Sequence, residues 1–208
     1  MDFLGIDAAT LRNGLIIYII LVASLCVHEW AHAISADRLG DDTPRHQGRV
    51  TLNPFVHMDL LGTVIFPLFC IFLLKGAFFF GWAKPVLINI GNFRHRQRDH
   101  IIVTLAGPVS NLGLALLAAI LGGLAFGVDP KIVELFVQVI LVNITLAVFN
   151  MLPIPPLDGS HIMRYLVGMS EELYVRIAQW SFLVLIILIN IPQFKEGMMR
   201  VVIAVARP

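Results

Sequence analysis

Residues 13–36 read NGLIIYIILVASLCVHEWAHAISA, an apolar run that ends in two histidines and a glutamate. A helix crosses a hydrocarbon core of about 30 Å with roughly 20 apolar residues, so this run is long enough to span a bilayer. Ionisable groups inside such a helix are costly and mark functional sites. The stretch therefore predicts a membrane helix that carries chemistry.

The whole chain has the composition of a membrane protein. Of its 208 residues, 58% are hydrophobic and 14% are charged, whereas about a quarter of a soluble domain is charged. Because helices satisfy their own backbone groups in lipid, we predict an all-α polytopic membrane protein with about four transmembrane helices. We expect residues 1–208 to form a single domain, since no interval is long and polar enough for another. The remaining apolar runs are 60–80, 101–126, 135–157 and 177–194.

Charge and cysteine content exclude other classes. The net charge of +1 gives no basic face dense enough for nucleic acid, and the one basic patch, residues 93–100, suits a loop beside anionic lipid. Cys26 and Cys70 both lie in apolar runs, so no disulfide framework is indicated.

The segment HEWAH, residues 28–32, has the spacing of two metal ligands on a helix. His28 and His32 lie four positions apart, so their rings project from one face in successive turns. This spacing suits two zinc ligands, and Glu29 suits a general base acting on a metal-bound water. A solitary histidine in an apolar helix is more often a core residue, but three ionisable groups within five residues favour the metal site.

A third ligand is expected near the end of the fourth run, in FNMLPIPPLDGSHIM, residues 149–163. Catalytic zinc takes three protein ligands and keeps one position open. Pro153, Pro155 and Pro156 cannot continue a regular helix, so the chain must unwind beside Asp158. For Asp158 alone, an Asp-Gly turn is the simpler interpretation. Its occurrence together with HEWAH favours the interpretation of Asp158 as the third metal ligand.

These motifs together resemble the site-2 protease family of intramembrane zinc metalloproteases. That family pairs HExxH with an Asn-x-x-Pro-x-x-x-x-Asp-Gly type motif, and this chain has HEWAH and NMLPIPPLDG. The resemblance covers about residues 28–162 and is to compact members without PDZ-like or CBS-like domains. Its further segments are GRVTLNPFVHMDLLGT at 48–63, FGWAKPV at 80–86 and LAGPVSN at 105–111.

The resemblance implies one zinc ion per chain, bound by His28, His32 and Asp158, with Glu29 activating water. It implies that Asn150 binds the substrate strand or the developing oxyanion. The residues that match the third signature are expected to pack near the site; they are Gly107, Pro108 and Asn111. The implied substrate is a transmembrane protein or peptide in the lipid bilayer, with a regulatory membrane partner as a further expectation.

Topology follows from the shared metal. His28 and Asp158 meet only if the first and fourth runs point the same way across the bilayer, so one of the two runs between them should not cross. Run 60–80 contains Pro67, Lys75 and Gly76 and is predicted to be a re-entrant or extra helical segment. A hairpin there also leaves an excess of Lys and Arg on one side, which by the positive-inside rule places the active site toward the cytoplasm. We expect a multi-pass protein of the bacterial plasma membrane.

Two other classes of membrane protein also carry spaced metal-binding residues. A membrane di-iron oxygenase uses clusters totalling about eight histidines with His-His pairs, whereas this chain has seven histidines and no such pair. A non-proteolytic metal-binding scaffold or transporter is the alternative function, against which Glu29 and the uncharged later runs argue. His161 is a candidate neighbour of the metal ligands, His57 is left unassigned, and the remaining histidines are expected in loops; they are His46, His95 and His100.

Overall fold

The computed structural model describes residues 7–74, 81–125, 127 and 129–206. Within these ranges all regular elements are helices, which confirms the all-α prediction. The α-helices are α1 (Ala8–Arg38), α2 (Thr43–His46), α3 (Pro54–His57), α4 (Phe66–Phe72), α5 (Arg96–Leu124), α6 (Pro130–Asn150), α7 (Asp158–Leu166), α8 (Glu171–Asn190) and α9 (Pro192–Ala206). A π-helical turn at Leu60–Ile65 leads into α4, and a 3-10 turn at Ile90–Asn92 precedes α5.

Three of the described helices, α1, α5 and α6, are long and apolar enough to cross a membrane. Helix α8 bends by 52° in its middle and adds a fourth span if its two halves are counted together. The prediction of about four spans is therefore confirmed. The fourth apolar run was expected to reach residue 157, but α6 ends at Asn150, before the first proline of the predicted break.

Helix α5 lies at the centre of the fold, between α1 and α6. Small side chains line it, including Ala115 and Ala118, which are both buried. At Gly122 an added Cβ would lie 2.9 Å from the Cβ of Phe136 on α6. Small residues permit this close approach of helices in lipid, where association depends on packing. The Gly- and Ala-rich composition of this run thus explains its central position.

Contacts between the three helices fix their directions. On α1 and α5, His28 contacts Asn111 and His32 contacts Val103, so residue numbers rise along one helix as they fall along the other. On α5 and α6, Asn111 contacts Asn143 while Gly122 faces Phe136. Both pairs are antiparallel, so α1 and α6 point the same way, as the shared metal site required.

The chain that leaves the loop at Leu60 comes back beside the residues from which it started. The Trp82 N–H donates to the Gly62 carbonyl at 3.1 Å, and the Lys84 N–H donates to the His57 carbonyl at 2.9 Å. Between these points, Ile71 on α4 packs beside Gly14 near the beginning of α1. The two ends therefore lie side by side, which is the geometry of a re-entrant hairpin. The rest of the predicted segment, residues 75–80, lies outside the described residues.

This hairpin predicts that the polar loops before and after it share one side of the membrane. Single cysteines introduced by His46→Cys and Arg94→Cys, both at exposed positions, should react with a membrane-impermeant maleimide added from the same side. The native Cys26 and Cys70 are buried and should give little background. Labelling from opposite sides would show that residues 60–80 cross the bilayer.

Candidate active site

Helices α1 and α7 bring together the three predicted metal ligands. His28 Nε2 lies 3.1 Å from His32 Nε2. The Asp158 carboxylate meets both rings, with Oδ2 3.2 Å from His28 Nε2 and Oδ1 3.4 Å from His32 Nε2. Among the described residues, these are the only three His, Cys, Asp or Glu side chains grouped closely enough to hold a metal ion.

The spacing of these atoms fits zinc. A tetrahedral zinc ion with bonds of about 2.0 Å to nitrogen and oxygen keeps its ligand atoms about 3.3 Å apart. The two histidine nitrogens are 3.1 Å apart, and each lies 3.2 or 3.4 Å from one oxygen of the Asp158 carboxylate. Asp158 Oδ2 is buried and accepts no hydrogen bond within the described part of the chain. A cation between the two histidine nitrogens and the carboxylate would satisfy this oxygen, because buried acceptors that face one another need a positive charge or a proton. The residues present therefore suit a zinc ion.

Packing holds the two histidine rings in place. His32 Nδ1 lies 2.7 Å from the Val103 carbonyl oxygen, which can only accept, so Nδ1 carries the proton and Nε2 presents its lone pair. Gly107 on α5 lies directly against the rings: an added Cβ would lie 2.4 Å from His32 Nε2 and 2.6 Å from His28 Nε2. The expectation that Gly107 packs near the site is confirmed.

Asp158 reaches the site because the chain unwinds after α6. Residues 151–157 form turns and bends, and α7 begins at Asp158 itself. The following residue must be glycine here, since a Cβ at Gly159 would lie 2.2 Å from the Met151 carbonyl oxygen. This close approach returns α7 against the end of α6. The proline-rich sequence and the Asp-Gly pair thus serve one purpose, which is to place a carboxylate opposite α1.

Glu29 is held at the edge of the same site by residues 81–89, the irregular segment that returns from the hairpin. The Val86 N–H donates to Glu29 Oε2 at 3.1 Å, and the glutamate is only 9% exposed. Both residues line a cavity of about 420 Å³. Its other walls include the three ligands and the apolar side chains of Trp82, Leu146, Phe149 and Leu157.

Two more predicted residues line this cavity, Asn150 and His161. Asn150 Nδ2 donates to the Leu146 carbonyl at 3.0 Å, so the amide is anchored to its own helix. His161 Nε2 lies 3.4 Å from the Tyr174 hydroxyl. Both are therefore placed beside the metal ligands, while the role of Asn150 in substrate binding stays a prediction.

His100 was expected in a loop, and that prediction is wrong. It lies inside α5, is 4% exposed, and lines the cavity. Its Nδ1 is 2.7 Å from the Tyr165 hydroxyl, and its ring centroid is 5.2 Å from that of His161. The basic residues around His100 are typical of a loop, but α5 already begins at Arg96, so they form its first turn.

His57, which the sequence left unassigned, has a structural position. It is buried, its Nε2 lies 2.8 Å from the Thr51 carbonyl oxygen, and its own carbonyl accepts from Lys84. It does not line the cavity. His57 therefore joins the loop before the hairpin to the irregular segment that returns from it, residues 81–89.

Comparison with known proteins identifies the family. The sequence model of peptidase family M50 matches residues 127–191, a range that contains Asn150 and Asp158. A Bacillus subtilis protein named "Putative zinc metalloprotease YwhC" is 37% identical over 183 residues, which cover 84% of this chain and 80% of that protein.

Two further relatives carry similar names. "Putative zinc metalloprotease Rip2" of Mycolicibacterium smegmatis is 31% identical over 194 residues, covering 89% of this chain and 72% of that protein. "Putative zinc metalloprotease MJ0611" of Methanocaldococcus jannaschii is 32% identical over 94 residues, covering 45% of this chain and 49% of that protein. No solved structure matches the chain. With its apolar spans and its His, His, Asp cluster, the chain belongs to peptidase family M50, the site-2 protease family of membrane zinc metalloproteases.

Proposed function

We propose that this membrane zinc metalloprotease hydrolyses peptide bonds within the transmembrane segments of membrane-anchored substrates. The observation that supports intramembrane cleavage is the depth of the site. His28 lies ten residues before the end of the spanning helix α1, which at 1.5 Å per residue is about 15 Å from that end. A bond cut there must be brought below the surface of the bilayer.

The proposed chemistry divides between the metal and Glu29. When bound by His28, His32 and Asp158, zinc would polarise the scissile carbonyl and lower the pKa of a water to about 7. The Glu29 carboxylate accepts the proton of the attacking water and returns it to the amide nitrogen as the C–N bond breaks. The Val86 N–H, which bonds Oε2, keeps this carboxylate directed along the cavity.

Substrate binding is proposed for the unwound segment after α6. A transmembrane helix pairs its own amides, so it must open before a bond becomes accessible. Residues 151–157, which are themselves non-helical, offer backbone groups to an extended substrate strand. Asn150 lies where this segment begins and lines the cavity, and we assign it to holding that strand or the developing oxyanion.

We also propose the bacterial plasma membrane as the location, with the active site toward the cytoplasm. The excess of Lys and Arg in the loops on both sides of the hairpin supports this orientation. A membrane partner that controls access to the cavity belongs to the same proposal.

The experiment that tests this function is mass-spectrometric mapping of the products from a single-span model substrate. Wild-type protein in lipid should cut within the apolar span, and Glu29→Gln should lower the rate by about 100- to 10,000-fold. The variant should retain its zinc, because Glu29 is not among the three ligand residues. A cut that persists in Glu29→Gln would remove this residue from the mechanism. Zinc flux into liposomes that survives the same substitution would support the transporter instead.

A further inference from the structure

A pair of asparagines lies buried where α5 packs against α6, and the one on α5 contacts the metal-ligand candidate His28. Asn111 and Asn143 are both 0% exposed. Neither lines the cavity that holds the metal ligands. Buried amides in a membrane span are costly unless every group is bonded, so each nitrogen and oxygen of these two amides needs a partner.

The orientation of the Asn143 amide is fixed by its own helix. One end of this amide lies 2.9 Å from the Val139 carbonyl oxygen. A carbonyl oxygen can only accept, so that end must be the Nδ2 donor. Asn143 Oδ1 is therefore turned toward α5.

The same reasoning orients the next amide. Asn143 Oδ1 can only accept, so Asn111 must present its Nδ2, which lies 2.9 Å away. This Nδ2 also lies 3.4 Å from the Ser24 carbonyl, a second acceptor. Asn111 Oδ1 is left to face His28 Nδ1 at 2.6 Å.

The last step concerns the metal ligand itself. Because Asn111 Oδ1 only accepts, His28 Nδ1 must carry the proton. The lone pair of the neutral ring is then on Nε2, the atom that faces Asp158 Oδ2. Reversal of the Asn111 amide would instead present a donor to Nδ1 and favour the Nε2–H tautomer, which cannot bind zinc.

We propose that Asn143 is a positioning residue for the zinc site, acting through the amide of Asn111 to fix the tautomer of His28. We call this chain of hydrogen bonds the relay. It starts at the Val139 carbonyl on α6, passes through the amides of Asn143 and Asn111, and ends at His28 on α1. It rests on the metal assignment within the proposed function and is independent of which peptide bond is cut.

The first test is the zinc affinity of Asn143→Leu, measured by competition with a chelator. Leucine has a similar size and suits lipid, but it cannot accept from Asn111. We expect an affinity roughly tenfold lower, in line with loss of an outer partner of a metal ligand. The matched control is Asn190→Leu, since Asn190 on α8 makes the same local bond, to the Ile186 carbonyl at 2.7 Å, and has no part in the relay. Its zinc affinity should not change.

A double-mutant cycle separates the relay from a general packing role. A carboxylate in Asn111→Asp has only acceptors, so it keeps His28 Nδ1 protonated without help from Asn143. In that background Asn143 Oδ1 faces a second acceptor and has no donor to hold, so Asn143→Leu should no longer lower zinc affinity. An equal loss in both backgrounds would overturn the relay, as would no loss in the otherwise wild-type chain.

A second readout covers variants that fold poorly. Bound cobalt absorbs visible light, so a cobalt titration followed by absorption should show Asn143→Leu binding this metal roughly tenfold more weakly, while Asn190→Leu should bind it as the wild type does. An unchanged cobalt affinity in Asn143→Leu would overturn the relay. If the wild type binds zinc and Asn143→Leu binds it equally well, only the relay fails; if the wild type binds no zinc, the proposed function fails with it.

Discussion

Alanine at Gly107 is expected to remove zinc from the protein and to abolish proteolysis. The added Cβ would lie 2.4 Å from His32 Nε2 and 2.6 Å from His28 Nε2, which is closer than non-bonded atoms come. The rings cannot move aside freely, since Val103 and Asn111 hold their Nδ1 atoms. Loss of an outer partner lowers metal affinity by 10- to 100-fold, so displacement of two ligands should exceed about 100-fold. Zinc content of the purified variant, measured by atomic absorption, checks this.

Gly113→Ala is the matched control for this substitution. Gly113 lies on the same helix, and an added Cβ there would meet no atom within 4 Å. Alanine also favours the helix by about 1 kcal/mol over glycine. This variant should therefore keep its zinc and its activity. If Gly107→Ala retained zinc as well, the packing of α5 against the two histidines would have to be looser than described.

Asparagine at Asp158 is expected to have a comparably large effect. The substitution keeps the shape of the side chain but replaces its negative charge with a neutral amide, so two strong ligands remain where catalytic zinc takes three. We expect zinc to fall to the level found after treatment with a chelator, and cleavage of a single-span substrate to fall to background. Zinc content and product yield are measured on the same preparation.

Asp129→Asn provides the comparison for Asp158→Asn. Asp129 also lies at the beginning of a helix, where its side chain accepts from the Lys131 N–H. Asparagine caps helices about as well as aspartate, so this variant should behave as the wild type. Full zinc content in Asp158→Asn would mean that another group supplies the third ligand.

The sequence allowed the cluster of His28, His32 and Asp158 and the direction of α6 to be predicted because the underlying signals are local. The spacing of His28 and His32 depends only on helix geometry, and the three prolines before Asp158 dictate a break wherever the chain lies. Once these two segments share a metal, the direction of α6 relative to α1 follows, and with it the hairpin at 60–80.

Other parts of the site have no local signal. His100 follows a run of charged residues typical of a loop, and only the packing of α5 shows that this run is the first turn of a buried helix. Asn143 is one polar residue in an apolar run, and its meaning depends on a partner 32 positions away. Tertiary packing decides both positions, so no pattern along the chain could have assigned them.

The hydrogen bond between Val86 and Glu29 has a consequence for genetics. Because the donor is a main-chain N–H, it survives replacement of Val86 by any residue that keeps an amide proton. Alanine scanning would therefore rate position 86 as tolerant, even though its main chain orients Glu29, the proposed general base. Proline alone among the twenty residues removes this donor, so a defect confined to Val86→Pro would reveal a contribution that side-chain surveys of this enzyme pass over.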